Sequence, residues 1–209
     1  AVVSGGLALA GGAYCLALAQ TAVDSERRVG LLQASQSRQD DVGNGRGRSL
    51  LDRDTSLPDG RFFELTLEIR IAAARRHLWP ITMLLVEARP PFGAPDASPS
   101  HWLTFTDLLQ KTLREADVIC RLSSTTFGLL LEDTSEAGGV WAAERVQSAL
   151  AGAPALPGWR LTAGVASYPT HGLAAKEVCD QARAALARAC AVEASHGLGQ
   201  VEVARSDAP

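Results

Sequence analysis

The segment from Leu113 to Leu131 constrains this chain most. Residues 118–122 and 127–131 are short apolar runs, separated only by Ser123, Ser124, Thr125 and Thr126. Such a pattern reads as strand, tight turn, strand. A hairpin this apolar cannot stand in water and needs other elements packed on it. The chain has the material for that: 46% of its 209 residues are apolar and 21% charged, a balance that suits one ordinary domain plus extra segments.

The flanking sequence supplies the rest of a layered fold. Residues 62–77 alternate at Phe63, Leu65, Leu67, Ile69 and Ile71, which periodicity alone would allow as a strand, but their length and the Ala72-Ala73-Ala74-Arg75-Arg76 end favour a helix. Residues 81–86 are a continuous apolar run, the mark of a buried strand. Helical spacing follows over 102–114, through Leu103, Leu108, Leu109 and Leu113, and again over 136–150, with Val140, Ala143, Val146 and Leu150 on one face. Residues 161–166 read as a strand, 174–192 as an Ala-rich helix and 201–203 as an edge strand. The expected order α, β, α, β, β, α, β, α, β implies an α+β architecture, an antiparallel-rich sheet flanked by helices.

Before this domain, residues 1–23 carry no charge, and Asp24-Ser25-Glu26-Arg27-Arg28 follows at once. An apolar run of about 20 residues spans a bilayer core, and Arg27 and Arg28 favour a cytoplasmic C-terminal side. Ser4, Ala8 and Gly12 form a small-residue face. A buried soluble helix or a signal-peptide core is the competing reading. Gly5, Gly6, Gly11 and Gly12 would each weaken a soluble helix by about 1 kcal/mol. The expected organisation is a transmembrane helix at 1–23, a juxtamembrane helix and linker at 24–51, and the domain at 52–205. The globular part is expected in the cytoplasm, at the inner membrane. The first residue is Ala1 rather than Met, which reads as a fragment or a processed form.

Net charge is −3 and the pI about 5.8, so no nucleic-acid partner is expected. Cys15, Cys120, Cys179 and Cys190 lie far apart without CxxC spacing and read as small buried hydrophobes. His77, His101, His171 and His196 are scattered. No metal site and no cofactor is expected.

Several anchors in fixed order resemble the GGDEF family, the bacterial diguanylate cyclases. The opening Asp52-Arg53-Asp54-Thr55-Ser56-Leu57-Pro58-Asp59-Gly60-Arg61-Phe62-Phe63 is similar to the family's Asp-x-Leu-Thr-Gly-Leu-Pro-Asn-Arg-Arg-x-Phe. The strand Met83-Leu84-Leu85-Val86-Glu87 resembles the one that ends in Asp-x-Asp. Arg114-x-x-Asp117 stands where the family has Arg-x-x-Asp. Ala143-Glu144-Arg145 resembles its Ala-Glu-Arg, and residues 161–166 resemble its Thr-x-Ser-Ile-Gly-Val-Ala strand. The resemblance implies a nucleotidyl cyclase-like fold with a ferredoxin-like core.

The hairpin turn departs from that family. Where the family has Gly-Gly-Asp/Glu-Glu-Phe, this chain has Ser123-Ser124-Thr125-Thr126-Phe127. Cyclising two GTP molecules needs a divalent metal held by carboxylates. The resemblance assigns one ligand to Glu87 and the other to the position of Thr126, with Arg89 in place of the second strand-end Asp. Pro90 and Pro91 stand where backbone N–H groups hold the triphosphate, and proline has none. Cys190 falls near the family's phosphate-binding Lys. The expectation is a vacated signature at Ser123, Ser124, Thr125 and Thr126, no catalytic residues and no enzymatic activity.

The resemblance further implies a product-binding site at Arg114, Asp117 and Arg145. An arginine fork can donate two hydrogen bonds to guanine O6 and N7, and a carboxylate can accept from the guanine N–H edge. The competing reading is an exposed i, i+3 ion pair worth under about 1 kcal/mol, with Arg145 a solvated helix residue. Two function classes stay open, beside a third reading as a weak nucleotide hydrolase or cyclase. One is a membrane-anchored cyclic di-GMP receptor or signalling module. The other is a nucleotide-independent dimerisation or protein-interaction module, with a homodimer or a protein as partner.

Overall fold

A computed structural model describes residues 50–94, 97–196 and 199–205. The expected transmembrane helix at 1–23 and nearly all of the 24–51 segment lie outside them. Among the described residues no helix is long and apolar enough to cross a membrane.

Among the described residues, nine elements follow in the expected order: α1 (Gly60–His77), β1 (Ile81–Arg89), α2 (Pro99–Thr112), β2 (Val118–Arg121), β3 (Thr126–Glu132), α3 (Glu136–Ala151), β4 (Arg160–Tyr168), α4 (Ala175–His196) and β5 (Val201–Val203). Asp59 starts α1 by accepting from the amides of Arg61 and Phe62 at 3.0 and 3.1 Å, which satisfies two donors that the first turn leaves free. Leu78 ends it in the left-handed region at φ 57°, and Trp79-Pro80 cannot continue it. Within α1, Phe63, Leu67, Ile71 and Ala74 are buried, whereas Leu65 and Ile69 are 58% and 64% exposed. The alternation in the sequence is thus a helical stripe at i, i+4, with two apolar residues left on the solvent side.

The sheet order is β2-β3-β1-β4-β5. Three of its pairings are antiparallel, and β4 pairs with β5 in parallel. The sheet is therefore mixed: α4 carries the chain back over the sheet, and a helical crossover returns a strand parallel to its predecessor. Central β1 is covered on both faces, which is why it reads as an unbroken apolar run. Leu84, Val86 and Ala88 pack with Trp102, Phe105 and Leu109 of α2 and Ala143, Val146 and Leu150 of α3. Ile81, Met83 and Leu85 pack on the other face, with Phe63, Leu67 and Ile71 of α1 and Val178, Ala182 and Ala185 of α4.

Two glycines set how closely the layers approach. A Cβ on Gly164 would lie 2.3 Å from the backbone nitrogen of Leu186 in α4, and one on Gly139 would lie 2.3 Å from Thr82 Cγ2. The α2 face also differs from expectation. Trp102, Phe105, Thr106 and Leu109 are buried while Leu103 is 51% exposed, because the aromatic side chains rather than the leucines define the buried stripe.

Candidate functional site

The register of β1 against β3 sets Glu87 opposite Thr126. Thr126 belongs to β3 and not to the turn, which is built by Leu122, Ser123, Ser124 and Thr125. Ser123 shapes that turn by accepting through Oγ from the amide of Thr126 at 3.1 Å. Glu87 projects from the end of β1 into a ring of donors. Arg89 donates to its Oε1 through Nε and Nη2 at 3.0 and 2.8 Å. The Thr125 hydroxyl reaches the same oxygen at 3.5 Å, and Cys190 Sγ donates to Oε2 at 3.2 Å.

Glu193, 3% exposed, continues the network. It accepts from Thr162 Oγ1 at 2.8 Å and faces Arg89 at 3.8 Å and Arg160 at 3.6 Å. Two carboxylates and two guanidiniums thus neutralise one another. The hydrogen bond to Glu87 raises the pKa of Arg89. Burial, reinforced by Glu87, pushes the Cys190 thiol up to about 12, so it is a neutral donor here. Mg²⁺ takes oxygen ligands in octahedral array. As arranged, the Glu87 carboxylate is engaged by Arg89 and Cys190.

Behind the turn lies a residue that sequence reasoning missed. Arg121 is 6% exposed. Its guanidinium donates to Asp52 at 2.7 Å and Asp54 at 3.1 Å, and to the carbonyls of Ser123 and Ser124 at 3.2 and 3.0 Å. It also lies 5.1 Å from the Trp102 ring centroid and 6.0 Å from that of Phe127. Burial raises the pKa of Asp52, but hydrogen bonds from Thr55 and Arg121 outweigh it and hold the carboxyl below the usual range. An open polar cleft beside this staple is lined by Asp59, Arg61, Glu64 and Ser123 among others.

Arg114, Asp117 and Arg145 occupy another part of the domain. Arg114 and Asp117 lie in the loop between α2 and β2, and Arg145 lies on α3. The Asp117 carboxylate accepts from the backbone N–H of Arg114 at 2.8 Å. The i, i+3 spacing therefore closes a turn through the main chain, and the exposed Arg114 guanidinium makes no ion pair among the described residues. Burial raises the Asp117 pKa, opposed by that hydrogen bond and by the charges of Arg114 and Arg145. All three groups thus share one field. Arg145 carries its guanidinium carbon 4.8 Å from the Trp141 ring centroid, and its buried Nε has no hydrogen-bond partner among the described residues. Cys120, Cys179 and Cys190 are free thiols.

Residues 102–194 match the family model described as the diguanylate cyclase GGDEF domain. No curated protein matches the sequence. Solved structures do. The isolated GGDEF domain of TpbB (YfiN) from Pseudomonas aeruginosa aligns at TM-score 0.65 and 24% identity, covering 75% of this chain and 95% of that one. The GGDEF domain of DgcB from Caulobacter crescentus, solved in complex with c-di-GMP, aligns at 0.64 and 14% identity, covering 79% and 99%. The active GGEEF domain of a diguanylate cyclase from Vibrio cholerae aligns at 0.60 and 17%, covering 75% and 99%.

These matches correct the expectation that the chain is no enzyme. The matched cyclase model spans the altered turn, and the fold is shared with a domain described as active. The physical reason lies in the register: a carboxylate, Glu87, is kept opposite the first residue after the turn, so the changed turn alone does not exclude nucleotide chemistry. Residues 102–194 match the GGDEF family model, and the domain that contains them has the GGDEF fold.

Proposed function

We propose that this domain is a cyclic di-GMP-responsive signalling module that takes the dinucleotide at Arg114, Asp117 and Arg145. The observation that carries the reading is the state of Asp117. Its carboxylate is pinned by the amide of Arg114 and lies in the field of both arginines, while the Arg114 guanidinium is left without an ion pair among the described residues. Two guanidiniums and one carboxylate leave a net positive charge, which suits a ligand with two phosphates. The Arg114 fork matches guanine O6 and N7 in the way arginine reads guanine elsewhere. The solved complex of DgcB with c-di-GMP, on the same fold, supports this choice of ligand.

Calorimetric titration of the full chain with cyclic di-GMP tests it. Arg114→Ala removes a bidentate contact and is expected to cost about 1–3 kcal/mol, roughly 5- to 150-fold in affinity. Thr126→Ala, in the distant hairpin, is expected to leave affinity unchanged. Absence of heat with the wild-type chain overturns the reading. The proposal includes a membrane tether at residues 1–23, supported by their uncharged composition. Fractionation of cells carrying the intact chain and a form lacking 1–23 tests that part, and an intact chain recovered as soluble without detergent refutes it.

A further inference from the structure

We propose that Trp141 is a base-stacking residue of the site formed by Arg114, Asp117 and Arg145, an inference that rests on the cyclic di-GMP reading above. The α3 helix buries Gly139, Ala142, Ala143, Val146 and Leu150. Trp141 stands off that stripe and is 59% exposed. The helix core is filled without it, so packing does not account for a large aromatic side chain left in water. One turn further on, Arg145 lays its guanidinium over the indole at 4.8 Å, the spacing at which helix residues i and i+4 meet.

This contact fixes the cation by its face. Arg145 Nε is shielded and has no hydrogen-bond partner among the described residues, while the guanidinium carbon keeps its contact with the indole. The positive charge so held acts on Asp117, the group that would accept from a guanine edge in the proposed site. The indole and the guanidinium together make a platform for a planar base, and the exposed part of the ring is the surface that a purine would cover. Stacking of a base on an aromatic side chain is worth about 1–3 kcal/mol and tolerates any base. Edge recognition by Arg114 and Asp117 selects guanine. The two contributions separate by residue: Trp141 supplies affinity, and the Arg114 turn supplies selectivity.

The test compares the full chain with its Trp141→Ala, Trp141→Phe and Arg114→Ala variants, titrated with cyclic di-GMP by calorimetry and by tryptophan fluorescence. Trp141→Ala is expected to weaken binding by about 5- to 150-fold. Trp141→Phe keeps a ring and is expected to stay within about fivefold of wild type, while the ligand-induced fluorescence change of the wild type disappears. A urea transition equal to that of wild type shows that each variant is folded. If Trp141→Ala binds as wild type does while Arg114→Ala is weakened, the stacking role is overturned and the site itself stands. If the wild type gives no heat, the site falls and the stacking role with it.

Discussion

Replacing Arg121 by alanine should be the most damaging single change near the hairpin. The wild-type side chain is 5% exposed, and its guanidinium serves four acceptors: Asp52, Asp54 and the carbonyls of Ser123 and Ser124. Breaking a buried ion pair from one side costs about 3–5 kcal/mol. The lower end applies, because the Asp52 and Asp54 side chains are 27% and 47% exposed and water can serve them in part. The turn carbonyls and the lost contact with Trp102 add to the penalty, so the expected loss is about 3 kcal/mol. With a urea slope of about 2 kcal/mol/M, the midpoint falls by about 1.5 M. All four tryptophans, Trp79, Trp102, Trp141 and Trp159, lie after residue 50. Fluorescence of the full chain therefore reports on this domain. Arg121→Lys keeps the charge and loses the fork, and should fall between the two. A midpoint shift below about 0.3 M for Arg121→Ala, corresponding to well under 1 kcal/mol, would refute the staple.

The same network sets an acid limit. The Asp52 carboxyl is held below its usual value in the folded chain, so the unfolded chain binds the proton more readily. Its stabilisation is complete above the ordinary aspartate range and is lost as the pH falls from about 4 through the lower folded-state value. Urea midpoints against pH should show this loss in wild type and a smaller one in Arg121→Ala; equal slopes would count against it. Gly164→Ala should lower the melting temperature by about 5 °C or more, since its Cβ meets the α4 backbone and overpacking costs about 1–3 kcal/mol. An unchanged melting temperature would mean that α4 can shift freely.

Much of the fold was legible because its elements carry strong local signals. β1 announces itself as an apolar run covered on both sides, and α1 by its length and its Ala72-Ala73-Ala74-Arg75-Arg76 end. The parallel pairing of β4 with β5 was not legible: β5 has only Val201–Val203, too few residues to show a face. The α2 face was misread at Leu103, because hydrophobic spacing ranks leucine with the aromatics, whereas packing against Trp159 and Phe127 draws in Trp102 and Phe105. The residues proposed for the site came from the family resemblance, but the partner of Asp117 did not: it is the backbone amide of Arg114, which side-chain spacing does not reveal. Arg121 went unnoticed because a lone charge at a strand end looks like a solvated one. Its carboxylate acceptors lie 67 and 69 residues away, where no local pattern reaches.

The strand order has a consequence for how this chain behaves in crowded solution. Long β1, β3 and β4, of nine, seven and nine residues, are enclosed by neighbours, while the two margins are β2 and β5, of four and three residues. Unpaired strand margins are templates on which another chain can add itself and start an aggregate. Here the margins are the shortest strands present, and β2 ends at the buried charge of Arg121. The segments most prone to amyloid-like assembly, such as Ile81–Val86, are open to a second molecule only when the whole sheet comes apart.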